Sequence, residues 1–141
     1  MLDLSSLDVT VIGGGIGGLA CALALQQHGA TVVVLEQAEE ITEVGAGIQV
    51  SPNGLRVIEA LGLADALAAQ CVAARAVSLR NGATGAEVAR LDLTRLQDDQ
   101  SYLFVHRADL IELFSETARG RGIGIRLLQK ATGVHPGTRP R

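Results

Sequence analysis

Aromatic residues are nearly missing from this chain of 141 residues: they account for 2% of it, and there is no tryptophan. Since aromatic rings normally supply much of the apolar area of a core, this scarcity excludes a core organised around large rings. Hydrophobic residues still make up 48% of the chain, so a core of Ala, Val, Leu and Ile side chains can form. The length corresponds to one domain.

Charged residues are also scarce, and this argues against a nucleic-acid partner and a membrane partner. The net charge is −3, so the basic surface that would attract nucleic acid or an anionic membrane is missing. No Asp, Glu, Lys or Arg occurs between Asp8 and Glu36. Glycines crowd this run, and residues 26–29, QQHG, interrupt it before it reaches the roughly 20 apolar residues of a membrane span. We therefore expect neither a nucleic-acid partner nor a membrane partner.

Cysteine is rare as well. The spacing of Cys21 and Cys71 fits no metal site, and we interpret both as buried free thiols of a reducing compartment. The acids Asp3 and Asp8 stand where a secretory signal would carry bases. We expect a cytoplasmic protein without a metal ion. No grouping of residues indicates a nucleophilic triad, so no catalytic residue is predicted.

Glycine, by contrast, is abundant and clusters in the segment VTVIGGGIGGL at residues 9–19. Gly13, Gly15 and Gly18 fit the pattern G-x-G-x-x-G between a strand and a helix. The first permits a tight turn, the second lets a pyrophosphate approach the backbone, and the third lets the helix pack close to the sheet. The helix N-terminus would then direct its free N–H groups and positive dipole end at the phosphates. The predicted phosphate-binding residues are Gly13, Gly15, Ile16, Gly17 and Gly18.

An acid closes the next apolar run, TVVVLE at residues 31–36. Glu36 follows Gly18 by 18 residues, where a carboxylate can accept hydrogen bonds from both hydroxyls of an adenosine ribose. A 2′-phosphate would meet it as a like charge. The order strand, glycines, helix, strand, acid therefore predicts a site for an unphosphorylated dinucleotide. The alternative is a glycine-rich turn in an ordinary βαβ unit, with Glu36 as a solvated acid.

The remaining pattern predicts alternating strands and helices. The predicted strands are at residues 8–13, 31–36, 47–50, 76–80, 87–93, 102–106 and 125–129, and the predicted helices at 17–28, 52–61, 64–70 and 107–119. Ser51 is predicted to cap the second helix, and Asn81-Gly82 indicates a hairpin. His106 ends a predicted strand and is interpreted as structural. Residues 135–141 contain two prolines and a glycine, which predicts a disordered tail.

Four segments together resemble a known family, the FAD-dependent aromatic-ring hydroxylases of the salicylate hydroxylase and 3-hydroxybenzoate 6-hydroxylase type. They are the glycine cluster at 13–18, LEQ at 35–37, EVGAGIQVSPN at 43–53 with the helix after it, and VHRADL at 105–110. The third segment is the most specific, because ordinary nicotinamide dehydrogenases have no such segment after their second strand.

The resemblance implies an α/β fold: a Rossmann-like FAD-binding parallel sheet, incomplete here, with the start of an inserted substrate domain. Residues 1–134 would be the N-terminal part of the FAD-binding domain, and residues 73–106 the first strands of the substrate domain. FAD would be the cofactor, NAD(P)H the co-substrate, and a small aromatic acid or phenol the compound hydroxylated with O2. The family places an arginine at the start of the last helix against the flavin, here Arg107. Gln37 and Gln49 would also contact the cofactor.

This resemblance covers only about the first third of a typical family member. Two later family motifs, Asp-Gly and Gly-Asp, would lie beyond position 141, so we expect the chain alone to be catalytically incomplete. An unpaired apolar edge at residues 9–12 would favour homo-oligomers or aggregation. Two further hypotheses stay open: a nicotinamide-dependent oxidoreductase, which shares the glycine pattern, and a non-catalytic dinucleotide-binding module or gene remnant.

Overall fold

Short strands and helices alternate along the part of the chain that the computed structural model describes, residues 2–41, 45, 47–97 and 100–135. In chain order the elements are β1 (Asp8–Ile12), α1 (Ile16–Gln27), β2 (Thr31–Leu35), β3 (Gly47–Val50), α2 (Pro52–Ala60), α3 (Ala64–Ala68), β4 (Cys71–Ala73), β5 (Ala76–Arg80), β6 (Glu87–Asp92), a 3-10 helix (Leu93–Arg95), β7 (Leu103–His106), α4 (Arg107–Gly120) and β8 (Gly124–Arg126). The backbone divides into two units, one of Met1–Gly45 with Arg107–Arg141 and one of Ala46–His106.

The first unit is built on a parallel sheet in the order β1-β2-β8. Register runs from Asp8 beside Thr31 to Ile12 beside Leu35, and β8 pairs along the other side of β2. Helices α1 and α4 pack against each other, and their apolar stripes are buried. Within the described residues β1 has no strand on its outer side, and Ile12 is 59% exposed. The predicted parallel sheet is confirmed, with β1 at its edge.

Two glycines allow α1 to follow β1 so closely. Gly13 turns the chain with φ +105°, a conformation that side chains other than glycine rarely adopt. A Cβ added to Gly18 would lie 2.0 Å from the carbonyl oxygen of Gly13. The helix therefore rests directly on the turn that precedes it, and only hydrogen fits between them.

Replacement of Gly18 by alanine should therefore destabilise the first unit by about 2 kcal/mol or more, because backbone has to move to admit the methyl group. Gly17 provides the matched control, since a Cβ there would meet no atom within 4 Å. We expect Gly17→Ala to leave stability unchanged or to raise it by up to about 1 kcal/mol. Urea unfolding of the two variants measures the difference, and equal stabilities would contradict the packing described.

The second unit contains an antiparallel sheet in the order β3-β7-β4. Its inner face carries Val50, Leu103 and Val105, each no more than 7% exposed. Helix α2 lies against β3, since a Cβ on Gly54 would be 3.4 Å from Val50 Cγ1. Directly paired residues share a face of a sheet, so the intervening positions form a separate outer face. This outer face is less buried than the inner one, since the paired residues Val72 and Phe104 on it are 68% and 37% exposed.

A two-stranded hairpin, β5 with β6, completes the second unit. The turn is longer than the Asn-Gly pair suggests. Asn81 Oδ1 accepts hydrogen bonds from the N–H groups of Ala83 and Thr84, at 2.9 and 3.0 Å. The positive φ of the turn falls on Gly85, at +71°. The predicted hairpin is confirmed, with its left-handed residue three positions later than Gly82.

Several local predictions were wrong in detail. The strand predicted at 125–129 ends at Arg126, because Leu128 turns the chain with φ +56°. Ser51 forms no side-chain cap, and its hydroxyl donates to Asn53 Oδ1 instead. Neither cysteine is buried as predicted, since Cys21 is exposed and Cys71 is half-buried. Helix α1 buries Leu19 with Ala22 and Leu23, and Cys21 falls on another stripe of the helix.

Three absences apply to the part of the chain described here. No helix in it is long and apolar enough to cross a membrane. No group of three or more His, Cys, Asp or Glu side chains in it could hold a metal ion. Its two cysteines form no disulfide. The predicted tail at 135–141 lies, from 136 onward, outside the described residues.

Candidate functional site: the glycine turn and Glu36

The turn between β1 and α1 lies beside the end of the neighbouring parallel strand, β2. Gly13 N–H donates to the Leu35 carbonyl at 2.8 Å, which joins the turn to the end of β2. Helix α1 begins at Ile16, and its N-cap residue, Gly15, provides no side-chain hydrogen bond. A Cβ on Gly15 would meet nothing within 4 Å. The first amides of the helix therefore lie beside open space, an arrangement that suits an anion.

Glu36 projects from the end of β2 toward this turn. Its Oε2 accepts a hydrogen bond from Gly14 N–H at 2.6 Å, and its Oε1 accepts one from Ala38 N–H at 2.9 Å. A Cβ on Gly14 would approach the Glu36 side chain to 3.2 Å. The carboxylate is thus held in one orientation, and each oxygen retains a lone pair for a further donor.

The backbone around Glu36 is fixed by the segment that follows β8. Glu36 N–H donates to the Arg126 carbonyl at 2.9 Å, and the Glu36 carbonyl accepts from Gln129 N–H at 2.8 Å. Leu128 N–H donates to the Ala38 carbonyl at 3.0 Å. Leu128 reaches this bond in the left-handed conformation, at φ +56°, which costs a non-glycine residue about 1 kcal/mol. Long-range backbone bonding therefore positions the acid.

Hydrogen bonding also favours the ionised form of Glu36. The pKa of its carboxyl lies below the ordinary value of 4.5, chiefly because of the Ala38 amide and then the Gly14 amide. Both amides donate to the charged form. Glu36 is accordingly an anion at neutral pH and presents two acceptor oxygens beside the glycine turn.

Stability should reflect this lowered pKa in a defined pH window. Because the folded-state pKa lies below the unfolded value, the contribution of Glu36 is fully present above 4.5 and is lost as the pH falls through the lower folded value. The pKa values of Asp3 and Asp92 are lowered too, by hydrogen bonds from Ser5 and Thr94, so a reference variant is needed.

Urea unfolding of the unmodified chain and of Glu36→Gln across the acid range isolates the contribution of the Glu36 carboxylate to the free energy of unfolding. We expect the difference in free energy of unfolding to be constant above pH 4.5 and to shrink below it. A difference that does not change with pH would show that the two amides do not favour the charged carboxyl.

A cleft opens beside these groups and is formed within the first unit alone. Its lining includes Gly14 and Gly15, the acids Glu36 and Glu40, and the apolar residues Ile41 and Ile111. Negative charge, free acceptors and apolar surface therefore meet at one place. This combination can hold a sugar through its hydroxyls and a planar base through apolar contact.

The other predicted site residues occupy different positions. Ile16 is half-buried, whereas Gly17 and Gln37 are exposed. Arg107 is exposed and begins α4; a Cβ on Gly45 would lie 3.5 Å from its Cδ. Gln49 belongs to the second unit, where its Oε1 accepts a hydrogen bond from the Tyr102 hydroxyl at 2.8 Å. The flanking positions 42–44 and 46 lie outside the described residues.

Sequence reasoning missed the residues that hold Glu36 in place. Gly14 occupies an x position of the glycine pattern, yet its N–H is a donor to the carboxylate. Ala38 and Gln129 act through backbone groups, at 2.9 and 2.8 Å. An amide donor leaves no residue-specific signal, so only the spacing to Glu36 could have pointed to Gly14.

This fold and site are those of an α/β dinucleotide-binding unit. Residues 6–138 match the family described as FAD binding domain, and the chain belongs to that family. The resemblance noted in its motifs is thereby confirmed, and FAD is the cofactor of this family.

Curated relatives are similar over most of the chain. A 3-amino-4-hydroxybenzoate 2-monooxygenase of Streptomyces cremeus is 45% identical over 107 residues, which are 74% of this chain and 27% of the relative. A 3-hydroxybenzoate 6-hydroxylase of Polaromonas naphthalenivorans is 39% identical over 121 residues, 84% of this chain and 30% of the relative. The chain therefore spans less than a third of the length of these two enzymes.

Solved structures show the same fold. The tetrameric form of 2-methyl-3-hydroxypyridine-5-carboxylic acid oxygenase superposes with a TM-score of 0.78 at 28% identity. The match covers 86% of this chain and 31% of that one. The similarity thus extends over both units described above.

Proposed function

We propose that this chain is the FAD-binding portion of a flavin monooxygenase that hydroxylates a small aromatic acid or phenol with NAD(P)H and O2. The observation that carries the proposal is the Glu36 carboxylate, held by Gly14 and Ala38 beside the open start of α1. The relatives support it, since two of them are named as hydroxybenzoate monooxygenases or hydroxylases. When bound, the flavin supplies the redox chemistry.

The residues of the first unit fit the adenosine diphosphate half of FAD. The pyrophosphate would lie against Gly13 and Gly15 at the N-terminus of α1, with Ile16, Gly17 and Gly18 behind it. Glu36 would accept hydrogen bonds from the ribose hydroxyls, and Gln37 would lie next to the adenosine. A Cβ on Gly15 would meet no atom within 4 Å, and this open space supports the close approach of a phosphate.

Other residues would act on the flavin half. Arg107 would place its guanidinium near phosphate or ribityl oxygens, because a planar cation recognises such oxygens well. An arginine in the first turn of a helix is unfavourably placed next to the positive dipole end, which supports a role beyond helix stability. Gln49 would contact the flavin.

The second unit contains the beginning of a substrate domain, at residues 73–106. The β5–β6 hairpin supports this assignment. Val77 pairs with Leu91 on one face of it, and they are 39% and 60% exposed. A lone two-stranded hairpin is at best marginally stable, so this face is suited to be covered by further sheet. Activity would accordingly require the parts of the relatives that this chain does not span, and the location we propose is the cytoplasm.

Loss of the Glu36 charge should weaken FAD binding. We expect Glu36→Gln to lower the affinity for FAD by about tenfold or more, since hydrogen bonds to a charged acceptor are among the stronger ones. Glu39→Gln is the matched control, because Glu39 is an exposed acid three residues away. Quenching of flavin fluorescence on titration measures both. Equal loss in the two variants, or none in either, would contradict the proposed role of Glu36.

The exposed edge of β1 should allow chains to associate. We expect this chain to form homo-oligomers whose size rises with concentration, because an unpaired edge offers free N–H and C=O groups to another strand. Thr10→Lys should reduce this association, since charge on an edge strand opposes pairing. Sedimentation velocity measures it. A chain that stays monomeric at all concentrations would contradict pairing through β1.

A further inference from the structure

The parallel pairing of β2 with β8 continues past both strands, with one extra residue on the β8 side. Glu36 N–H donates to the Arg126 carbonyl at 2.9 Å, as the register of the two strands requires. In a regular parallel ladder Leu128 N–H would donate in turn to the Glu36 carbonyl. The donor is Gln129 N–H instead, at 2.8 Å. An inserted residue of this kind is a β-bulge, and residues 127–129 form the β8 bulge.

The inserted residue, Leu128, uses its N–H to hold a second point of the chain that follows β2. Leu128 is in the left-handed conformation, at φ +56°, and its N–H donates to the Ala38 carbonyl at 3.0 Å. Its side chain is 70% exposed, so core packing does not impose this conformation. The Gln129 side chain supports it, since Nε2 donates to the carbonyls of Leu127 and Leu128 at 3.4 and 3.3 Å.

Ala38 connects the β8 bulge to the carboxylate of Glu36. The Ala38 carbonyl accepts from the bulge, and its N–H donates to Glu36 Oε1 at 2.9 Å. The other carboxylate oxygen, Oε2, accepts from Gly14 N–H in the glycine turn at 2.6 Å. The carboxylate is therefore held from two sides, and the bond to Oε1 depends on the bulge. All of these residues belong to the first unit.

We propose that Leu128 and Gln129 are positioning residues of the dinucleotide site, which set the direction of the Glu36 carboxylate and thereby the preference for a ribose without a 2′-phosphate. A bulge beside a binding site commonly re-aims a side chain. Without the bulge the carboxylate would turn away from the ribose hydroxyls, and its repulsion of a 2′-phosphate would weaken with distance. The preference for the ribose rests on the proposed function, whereas the positioning of the carboxylate does not.

Two substitutions at position 128 separate the backbone conformation from the side chain. Leu128→Pro removes the N–H and fixes φ at about −65°, so it eliminates the bond to Ala38 together with the left-handed turn. Leu128→Gly removes the exposed side chain but keeps the N–H, and glycine adopts a positive φ readily. We expect Leu128→Pro to lose the positioning of Glu36 and Leu128→Gly to retain it.

NMR titration of the Glu36 carboxyl in the absence of ligand tests the positioning directly. The pKa of this carboxyl is lowered chiefly by the Ala38 amide, so in Leu128→Pro it should rise toward 4.5. In Leu128→Gly it should stay where it is in the unmodified chain. Glu40, the other acid of the cleft, is retained in both variants, so its charge does not account for a difference between them.

Calorimetric titration with ADP-ribose and with its 2′-phosphorylated form tests the consequence for the ribose. The ratio of the two affinities should fall from about tenfold or more in the unmodified chain to about threefold or less in Leu128→Pro. It should be unchanged in Leu128→Gly. A merely structural role of Leu128 would weaken both ligands alike and leave the ratio unchanged.

Gln129→Ala provides the test if Leu128→Pro does not fold by circular dichroism. This change removes only the two side-chain bonds of the β8 bulge. It should move the pKa of Glu36 and the affinity ratio in the same directions as Leu128→Pro, by a smaller amount. The control is Thr132→Ala, a change at an exposed neutral residue nearby, which should move neither quantity.

The inference is overturned by a pKa of Glu36, or by an affinity ratio, that is the same in folded Leu128→Pro as in the unmodified chain. The same holds for Gln129→Ala where that variant provides the test. Failure of the proposed function is a different result, in which the unmodified chain binds neither FAD nor ADP-ribose. In that event the pKa of Glu36 still decides whether the β8 bulge positions the carboxylate.

Discussion

The structure of the first unit depends on the contact between Gly18 and the turn at Gly13, where a Cβ would lie 2.0 Å from a backbone oxygen. Because α1 lies so close, its N-terminus opens directly at the ends of β1 and β2. Gly13 N–H donates a hydrogen bond to the carbonyl of Leu35, the last residue of β2. The residue after it, Glu36, accepts a hydrogen bond from Gly14 N–H. One close approach thus places both an anion-favouring helix end and a fixed carboxylate.

The two units differ in what surrounds their strands. In the first, β2 lies between β1 and β8, and Val34 is fully buried. In the second, the inner sheet face is buried, whereas the hairpin and the face with Phe104 stay exposed. The glycine turn and Glu36 both belong to the first unit, and the chain spans less than a third of relatives such as the 3-hydroxybenzoate 6-hydroxylase.

Sequence reasoning predicted the features that depend on local steric requirements. It did not predict the backbone conformations that are imposed by residues far away in the sequence. Gly13 and Gly18 could be assigned because turns and close helix contacts require glycine. Leu128 could not, since its left-handed backbone is imposed by bonds to the segment after β2. Cys21 was misplaced because α1 is apolar on every side, so its pattern does not indicate which stripe is buried. The binding roles of Arg107 and Gln49 stay predictions.

Calorimetric titration of the folded chain with FAD, and with ADP-ribose and its 2′-phosphorylated form, tests the central claim most directly. The account predicts that FAD and ADP-ribose bind, and that the 2′-phosphate weakens binding by about tenfold or more because it meets the Glu36 carboxylate as a like charge. A chain that is folded by circular dichroism but binds none of these compounds, or binds the 2′-phosphorylated form equally well, would contradict it.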